Sequence, residues 1–223
     1  MQITHGGLPP VIRPEISSGA GCEVRMGALR SALRDATRES HHVIDHHPLV
    51  APLVRADLGL DAYACALRGL LCIHRPLQRA LANAIAQTGL NYELADRVGW
   101  LMADLESLGI SERHPGLAWK APSVIDAASL AGVLYVVEGS TLGGQVIARR
   151  IESSLGLTAA HGARFFNGWG SATENRWLAF WDFAEFATGN DAKIAIEAAL
   201  ACFEAIRLGF DEFLLAPSLA AHA

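Results

Sequence analysis

The sequence predicts an all-α fold, a single domain built as a bundle of helices. Three observations support this prediction. From about Met26 to Leu214, apolar residues recur every three or four positions, which is the period of a helix with one buried face. Gly and Pro fall at intervals typical of helix ends, and no stretch shows the alternation of a half-buried strand. A chain of 223 residues with 51% hydrophobic content can bury one sizeable core.

The apolar periodicity divides the chain into seven predicted helices. Asp61 and Asn91 are candidate N-caps of two of them, and Gly109 ends the pattern that Asn91 begins. The predicted helices are 27–46, 48–57, 61–88, 91–107, 122–155, 172–187 and 191–214. The predicted domain limits are a disordered N-terminal tail over 1–25, a helical domain over 26–216 and a C-terminal tail over 217–223. Because Gly and Pro interrupt the N-terminal tail, we do not expect a signal peptide there.

Charge and residue types exclude several classes of protein. The chain has 18 basic and 23 acidic residues, a net charge of -5, whereas a nucleic-acid-binding face requires a basic excess. The longest candidate membrane segment, 127–137, stops at Glu138 and is shorter than the roughly 18 residues that a span requires. The four cysteines form no Cys-x-x-Cys pair. We therefore expect a cytoplasmic protein that binds neither nucleic acid nor a membrane.

The predicted helix 122–155 contains the unusual segment "YVVEGSTLGGQVIARRI". Each glycine inside a helix costs about 1 kcal/mol relative to alanine, so something must compensate. Gly139 and Gly143 are four residues apart and share one face, and Ser140 and Gly144 form an adjacent stripe of small residues. Two explanations remain open: close helix–helix packing, or a ligand that lies against the backbone of a kinked helix.

The first predicted helix offers a metal ligand for a flat macrocycle. Its histidines are His41, His42, His46 and His47. In helical geometry Leu33 lies within about 80° of His41, and Arg34 within about 20°, so His41 stands beside an interior with an arginine on its own line. Arginine forms bidentate bonds to carboxylates such as those on a porphyrin edge. Asp45 lies one turn beyond His41, where it can orient the imidazole ring.

Two segments resemble motifs of the heme oxygenase family. "LRDATRESHHVID" is similar to the first-helix motif, and "LYVVEGSTLGGQVIARRI" is similar to the glycine-rich distal helix. The glutamate-glycine-serine form resembles the bacterial branch that is often paired with bacteriophytochromes. The similarity extends from about 29 to 214 and implies a heme-oxygenase-like helical bundle. It also implies that His41 is the proximal ligand of the heme iron, and that Gly139 and Gly143 supply distal backbone contacts.

The same resemblance implies further site residues. Arg34 and Arg38 would pair with the heme propionates, and Tyr135 corresponds, offset by one position, to a family tyrosine that reaches a propionate. Ser140 stands where mammalian-type members carry a distal aspartate, and Gly144 would lie against the heme beside it. The predicted catalytic set is thus Gly139, Gly143 and Ser140, and the predicted heme-binding set is His41, Arg34, Arg38, Tyr135 and Gly144.

The resemblance implies that heme b is both cofactor and substrate, cleaved with O2 and electrons to biliverdin, CO and free iron. The distal glycines would steer oxygen sterically and leave room for ordered water. Electrons must come from an external donor, a ferredoxin or a reductase, because the sequence has no Gly-x-Gly-x-x-Gly fingerprint and no iron–sulfur cysteine set. A bacteriophytochrome is the expected acceptor of biliverdin.

Three other functions remain open at this point. A non-enzymatic heme carrier or sensor would use the same pocket without turnover. A di-iron oxidase in a helical bundle needs two Glu-x-x-His pairs and further carboxylates, but only Glu39 and His42 match, and Glu138 is the only acid in the apolar part of the glycine helix. A purely structural helical protein would bind no heme.

Overall fold

The computed structural model describes residues 20–112, 117–189 and 191–216. Within these residues the chain forms a helical bundle without a β-strand, which confirms the all-α prediction. The helices are α1 (Ala20–Asp45), α2 (Leu60–Thr88), α3 (Arg97–Ser107), α4 (Ala127–Leu155), the one-turn α5 (Arg164–Asn167), α6 (Thr173–Thr188) and α7 (Ala192–Leu215). Short 3₁₀ helices lie at Ala51–Val54 and Gly170–Ala172.

Two predicted helix boundaries are wrong for local reasons. The segment 48–57 forms only the 3₁₀ turn, because Pro48 and Pro52 supply no backbone N–H for a longer helix. The helix predicted from Asn91 begins at Arg97, since Asp96 is its N-cap and accepts a hydrogen bond from the Gly99 amide at 2.9 Å.

The other ends follow the expected chemistry more closely. Gly109 closes α3 with a φ of 64°, a left-handed conformation that favours glycine, and the amide of Ile110 bonds to the Leu105 carbonyl at 2.9 Å. Asp61 is not the N-cap of α2 but lies in its first turn, behind Gly59. Helix α1 begins at Ala20 and therefore extends into the segment assigned to the N-terminal tail. Residues 1–19 and the predicted C-terminal tail lie outside the described residues.

Helix α4 is the central element of the bundle. A capping box begins it: the Ser129 amide donates to Asp126 at 2.7 Å, and the Asp126 amide donates to the Ser129 hydroxyl at 3.0 Å. Helices α5, α6 and α7 pack against it, and α1 packs on α7 and α6. Among the described helices α4 alone has the length and composition of a membrane span, but 56% of its most apolar window is buried inside the protein. That burial is expected of a core helix.

Candidate functional site

His41 lies on α1 with its side chain 56% exposed. Its Nδ1 is 2.9 Å from Oδ2 of Asp45, one turn further along the helix. A carboxylate there accepts the Nδ1 proton, which leaves the lone pair on Nε2. The ring also lies near Phe203 of α7, with 5.8 Å between the ring centroids. Asp45 thus orients the imidazole, and Phe203 borders it. In the tautomer that Asp45 favours, Nε2 carries the lone pair that can bind a metal.

The other three histidines have different surroundings. His47 is buried, and both its ring nitrogens are used: Nδ1 accepts from the Leu49 amide at 3.1 Å, and Nε2 lies 3.1 Å from Asp211. His42 stacks on His46 with 4.1 Å between the ring centroids, and Nδ1 of His46 is 2.9 Å from the His42 carbonyl oxygen. Among the described residues, neither of these two exposed rings has a carboxylate partner of the kind that orients His41.

Two glycines of α4 serve helix packing. A methyl group added at Gly132 would overlap the carbonyl of Ala195 on α7. One added at Gly144 would lie 3.1 Å from the carbonyl oxygen of Phe166 on α5. Because helical geometry sets Gly144 about 140° from Gly139, it faces α5 rather than the face of the other site residues. The close approach of α5 explains the missing side chain of Gly144, and its predicted contact with heme stays a prediction.

Gly139 and Gly143 have more open surroundings. At Gly139 the nearest heavy atom to an added methyl group would be Cη2 of Trp177, at an ordinary 3.6 Å. At Gly143 no atom of the described residues lies within 4 Å of an added methyl group. The helix penalty of Gly143, about 1 kcal/mol relative to alanine, is therefore not offset by packing against the described residues.

Ser140 and Tyr135 make hydrogen bonds that bear on their predicted roles. The Ser140 hydroxyl donates to the Val137 carbonyl at 2.7 Å, so its proton is engaged and its oxygen remains an acceptor. The Thr37 hydroxyl donates to the Leu33 carbonyl at 2.7 Å. Tyr135, 3.3 Å from that hydroxyl oxygen, is therefore the donor of a bond that joins α4 to α1. Thr37 is one turn before His41, and Tyr135 is one turn before Gly139.

Arg34 and Arg38 lie on the exposed side of α1, with 71% and 75% of their side chains accessible. Both approach Asp35, Arg34 at 3.8 Å and Arg38 at 2.6 Å. Exposed pairs of this kind are weak, so either guanidinium can turn toward a carboxylate of a ligand. Helical spacing keeps Arg34 within about 20° of the line of His41, and Arg38 lies about 60° from it.

Sequence reasoning missed an aromatic border on α6. Trp177 lies next to Gly139 and stacks on Phe180, and Trp181 packs against both. Tyr135 is 6.1 Å from the Trp177 ring and 5.8 Å from the Trp181 ring, measured between centroids. The signal in the sequence was that Trp177 lies three residues before Phe180 and four before Trp181. Aromatic residues that only fill a core show the same spacing.

These residues together suit a flat, metal-bearing ligand with carboxylates. An oriented imidazole on α1, an open glycine face on α4 and exposed arginines along α1 are the groups that a heme needs for its iron, its plane and its propionates. In agreement with this geometry, the family model described as heme oxygenase matches residues 27–208. The chain belongs to the heme oxygenase family. It is accordingly a heme-degrading oxidoreductase, for which heme is both substrate and cofactor.

A solved structure gives an independent view of the fold. The heme oxygenase of Neisseria meningitidis, crystallised with bound NO and CO, is similar to this heme oxygenase with a TM-score of 0.66 and 20% sequence identity. The likeness covers 86% of this chain and 94% of that chain, and it confirms the heme-oxygenase-like bundle. A comparison with curated proteins gives no match. Assignment to the bacteriophytochrome-associated branch stays a prediction.

The donor set of a di-iron centre is not assembled in the described part of this heme oxygenase. Glu39 and His42 are both exposed on α1, and Glu138 is paired in the interior with Arg97 at 3.0 Å. No group of three His, Cys, Asp or Glu side chains among the described residues is arranged to hold a metal ion. The di-iron alternative therefore lacks its ligands in these segments.

A second buried histidine makes stability depend on pH. Burial lowers the pKa of His74 to about 3, and the Arg97 guanidinium acts in the same direction. In the unfolded chain a histidine titrates near 6.5, so between pH 6.5 and about 3 the unfolded state takes up a proton that the native state refuses. Stability contributed by the neutral ring is therefore complete above pH 6.5 and decreases as the pH falls.

We expect His74→Leu to remove this pH dependence. Between pH 6 and 4 the free energy of unfolding of the parent should fall more steeply than that of the variant, by up to about 1.4 kcal/mol per pH unit. Urea unfolding at several pH values measures both curves, and carboxylates that titrate in the same range cancel in the difference. Parallel curves would contradict the assignment of a neutral, buried His74.

Proposed function

We propose that heme binds between α1 and α4, with its iron on Nε2 of His41 and its other face against Gly139 and Gly143. The observation that carries this proposal is the open face of Gly143, a glycine within a long helix that has no described residue within 4 Å of an added methyl group. A ligand that lies against the backbone explains this residue, and helix packing does not. In this arrangement heme is converted to biliverdin, CO and free iron with O2 and external electrons.

Asp45 has a defined part in the proposed site. By accepting the Nδ1 proton at 2.9 Å, it fixes the tautomer and holds the ring of His41 in place. Phe203 borders the same ring and limits its rotation. His41 would hold the heme iron through Nε2, and the bound heme would supply the reaction with O2.

The distal side of the proposed site uses backbone and water instead of an acid. The nearest buried acid on α4, Glu138, is engaged with Arg97 and does not share the face of Gly143. Space beside Gly143 admits ordered water, which can deliver protons as well as a side chain can. The Ser140 oxygen, whose proton is given to the Val137 carbonyl, can accept a hydrogen bond from that water. Ser140 would therefore orient water rather than donate a proton.

We further propose that electrons come from a separate protein, a ferredoxin or a reductase. The described cysteines, Cys65, Cys72 and Cys202, are not paired or grouped, and burial raises the pKa of Cys72 and of Cys202 to about 12. They are suited to packing rather than to electron transfer. A cytoplasmic location and a bacteriophytochrome as biliverdin acceptor remain parts of the same proposal.

The test is an anaerobic hemin titration followed by a chemical reductant and O2. We expect one hemin per chain, then loss of the Soret band with the appearance of biliverdin, identified by chromatography. A Soret band that persists through repeated cycles of reductant and O2 would identify a heme carrier or sensor. No Soret band at all would remove heme from the function.

Charge reversal at Arg34 tests the predicted propionate contact. In Arg34→Glu a carboxylate takes the place of the guanidinium and repels the heme propionate that the arginine would attract. The affinity for hemin should therefore fall about tenfold. Lys193→Glu on α7 is the matched control, because its side chain is 89% exposed and the change in net charge is the same. Equal hemin affinities for Arg34→Glu and Lys193→Glu, measured by fluorescence quenching, would remove Arg34 from the site.

A further inference from the structure

Arg97, the first residue of α3, directs its guanidinium at one turn of α4. Its Nη2 lies 2.6 Å from the Thr141 hydroxyl, 3.0 Å from Oε2 of Glu138 and 3.1 Å from the Val137 carbonyl oxygen. The side chains of Arg97 and Glu138 are only 3% and 6% exposed. All three acceptors belong to the turn 137–141, the same turn that contains Gly139.

The Val137 carbonyl accepts more hydrogen bonds than a regular helix supplies. Besides its place in the helix, it receives the Ser140 hydroxyl at 2.7 Å and Nη2 of Arg97 at 3.1 Å. Side-chain donors on a helical carbonyl draw it away from the helix axis and favour a bend. Gly139, with no side chain, offers little resistance to such a bend. The path of α4 at this turn therefore depends on the guanidinium.

The glycine side of α4 near this turn has few close neighbours among the described residues. There a methyl group added at Gly139 would lie 3.6 Å from Trp177, and one added at Gly143 would have no described atom within 4 Å. Helix α3 itself packs mainly on α2 and α5. The side chain of Arg97 is thus the main connection from α3 to the middle of α4.

We propose that Arg97 is a positioning residue that holds the turn 137–141 of α4 to α3 and thereby sets where Gly139 and Gly143 lie over the heme. The position of the glycines over the heme rests on the proposed function, whereas the attachment of α4 to α3 by Arg97 is a property of the protein without heme. Arg97 acts through α4 and lies on the face away from Gly143, so it does not touch the substrate.

The buried charge of Glu138 determines which variants can test this proposal. Loss of Arg97 alone would leave this carboxylate unpaired in the interior and would threaten folding itself. Arg97→Met combined with Glu138→Met removes both charges and keeps side chains of similar length. Arg97→Lys is the second variant, because it retains a charge beside Glu138 but loses the planar, multiple donors of the guanidinium. Arg75→Met with Glu112→Met is the matched control, since that ion pair joins α2 to a loop and leaves α4 untouched.

The first measurement is hydrogen–deuterium exchange of the heme-free protein. In the double variant and in Arg97→Lys, amides over 137–146 should exchange at least about tenfold faster than in the parent, while α2 and α7 and the urea midpoint stay close to parental. The control pair should leave 137–146 unchanged. Parental exchange over 137–146 in the variants, or faster exchange spread evenly over all helices, would overturn the proposal.

The second measurement uses the heme-bound protein. The variants should bind hemin within about threefold of the parent, because the proximal side is intact, yet show a shifted C–O stretching frequency in the ferrous–CO complex and a changed mixture of biliverdin isomers. A parental C–O frequency and isomer mixture beside faster exchange would limit Arg97 to stabilising α4 and overturn its role over the heme. Failure of the parent to bind hemin would refute the proposed function, while the exchange result would still decide the hold on α4.

Discussion

His41→Ala protein is expected to lose the ferrous–CO spectrum of the parent and to regain it when imidazole is added. Nε2 of His41 supplies the only bond from the protein to the iron in the proposed site, and removal of the ring leaves a gap that free imidazole can fill. Biliverdin formation without imidazole should fall below about 1% of the parental rate, a loss on the order of 3 kcal/mol of transition-state stabilisation. Absorbance spectroscopy follows the complex, and chromatography follows the product.

The control for this substitution is His46→Ala. His46 is exposed at the end of α1 and stacks on His42, so its removal deletes an imidazole near the site without touching the ring held by Asp45. We expect parental spectra and turnover from it. An unchanged spectrum in His41→Ala, with loss of the spectrum in His42→Ala or His46→Ala, would show that the wrong histidine was chosen.

Gly143→Leu is expected to stabilise the heme-free protein and to stop its chemistry. Because no described residue lies within 4 Å of a Cβ added at Gly143, a side chain can begin there without a clash at its first atom. Replacement of a helical glycine should then raise the free energy of unfolding by about 0.5–1 kcal/mol. The same side chain projects into the space where O2 must lie, so biliverdin formation should fall by at least about tenfold. Heme should still bind, because His41 holds the opposite face.

Gly27→Leu separates the helix effect from the site effect. Gly27 is also a helical glycine, and in the described part of the chain nothing lies within 4 Å of an added methyl group there. It lies 14 residues before His41, about 21 Å along α1. It should gain stability in the same way and keep parental turnover. Gly143→Ala should be milder than leucine, and a change in the biliverdin isomer is its expected sign. If Gly143→Leu turns over at the parental rate with the same isomer, the glycine face does not line the heme.

Both predictions depend on residues that the sequence indicated through local patterns. His41 and Asp45 are one helical turn apart, and Gly139 and Gly143 share a face, so spacing alone related the members of each pair. The extents of α2, α6 and α7 followed from apolar periodicity for the same reason, whereas α4 begins at Ala127 and not at the predicted residue 122. Where local signals competed, the predictions were wrong: the prolines at 48 and 52 shortened one helix, and Asp96 rather than Asn91 capped another.

Only the tertiary structure divided the glycines of α4 by role. Gly132 and Gly144 lie against Ala195 and Phe166, whose positions in the chain are far away and which no periodicity relates to α4. Gly143 is open because no described residue of another helix comes within 4 Å of a methyl group added there. The sequence determined that α4 is a helix rich in glycine, since helix propensity and periodicity are local. Which glycines pack against another element and which lie open was decided by how distant helices meet.

The same distinction applies to the charged groups. The sequence placed Arg34 and His41 on one line of α1, because residues seven apart in a helix fall on the same face. It contained no signal that Arg97, 41 positions before Glu138, would neutralise that carboxylate in the interior. Such pairs form only when packing excludes water from both partners, because a buried charge is tolerated only beside its counter-charge. The sequence by itself determined the helices and the candidate iron ligand, and tertiary packing decided what holds α4 in place above it.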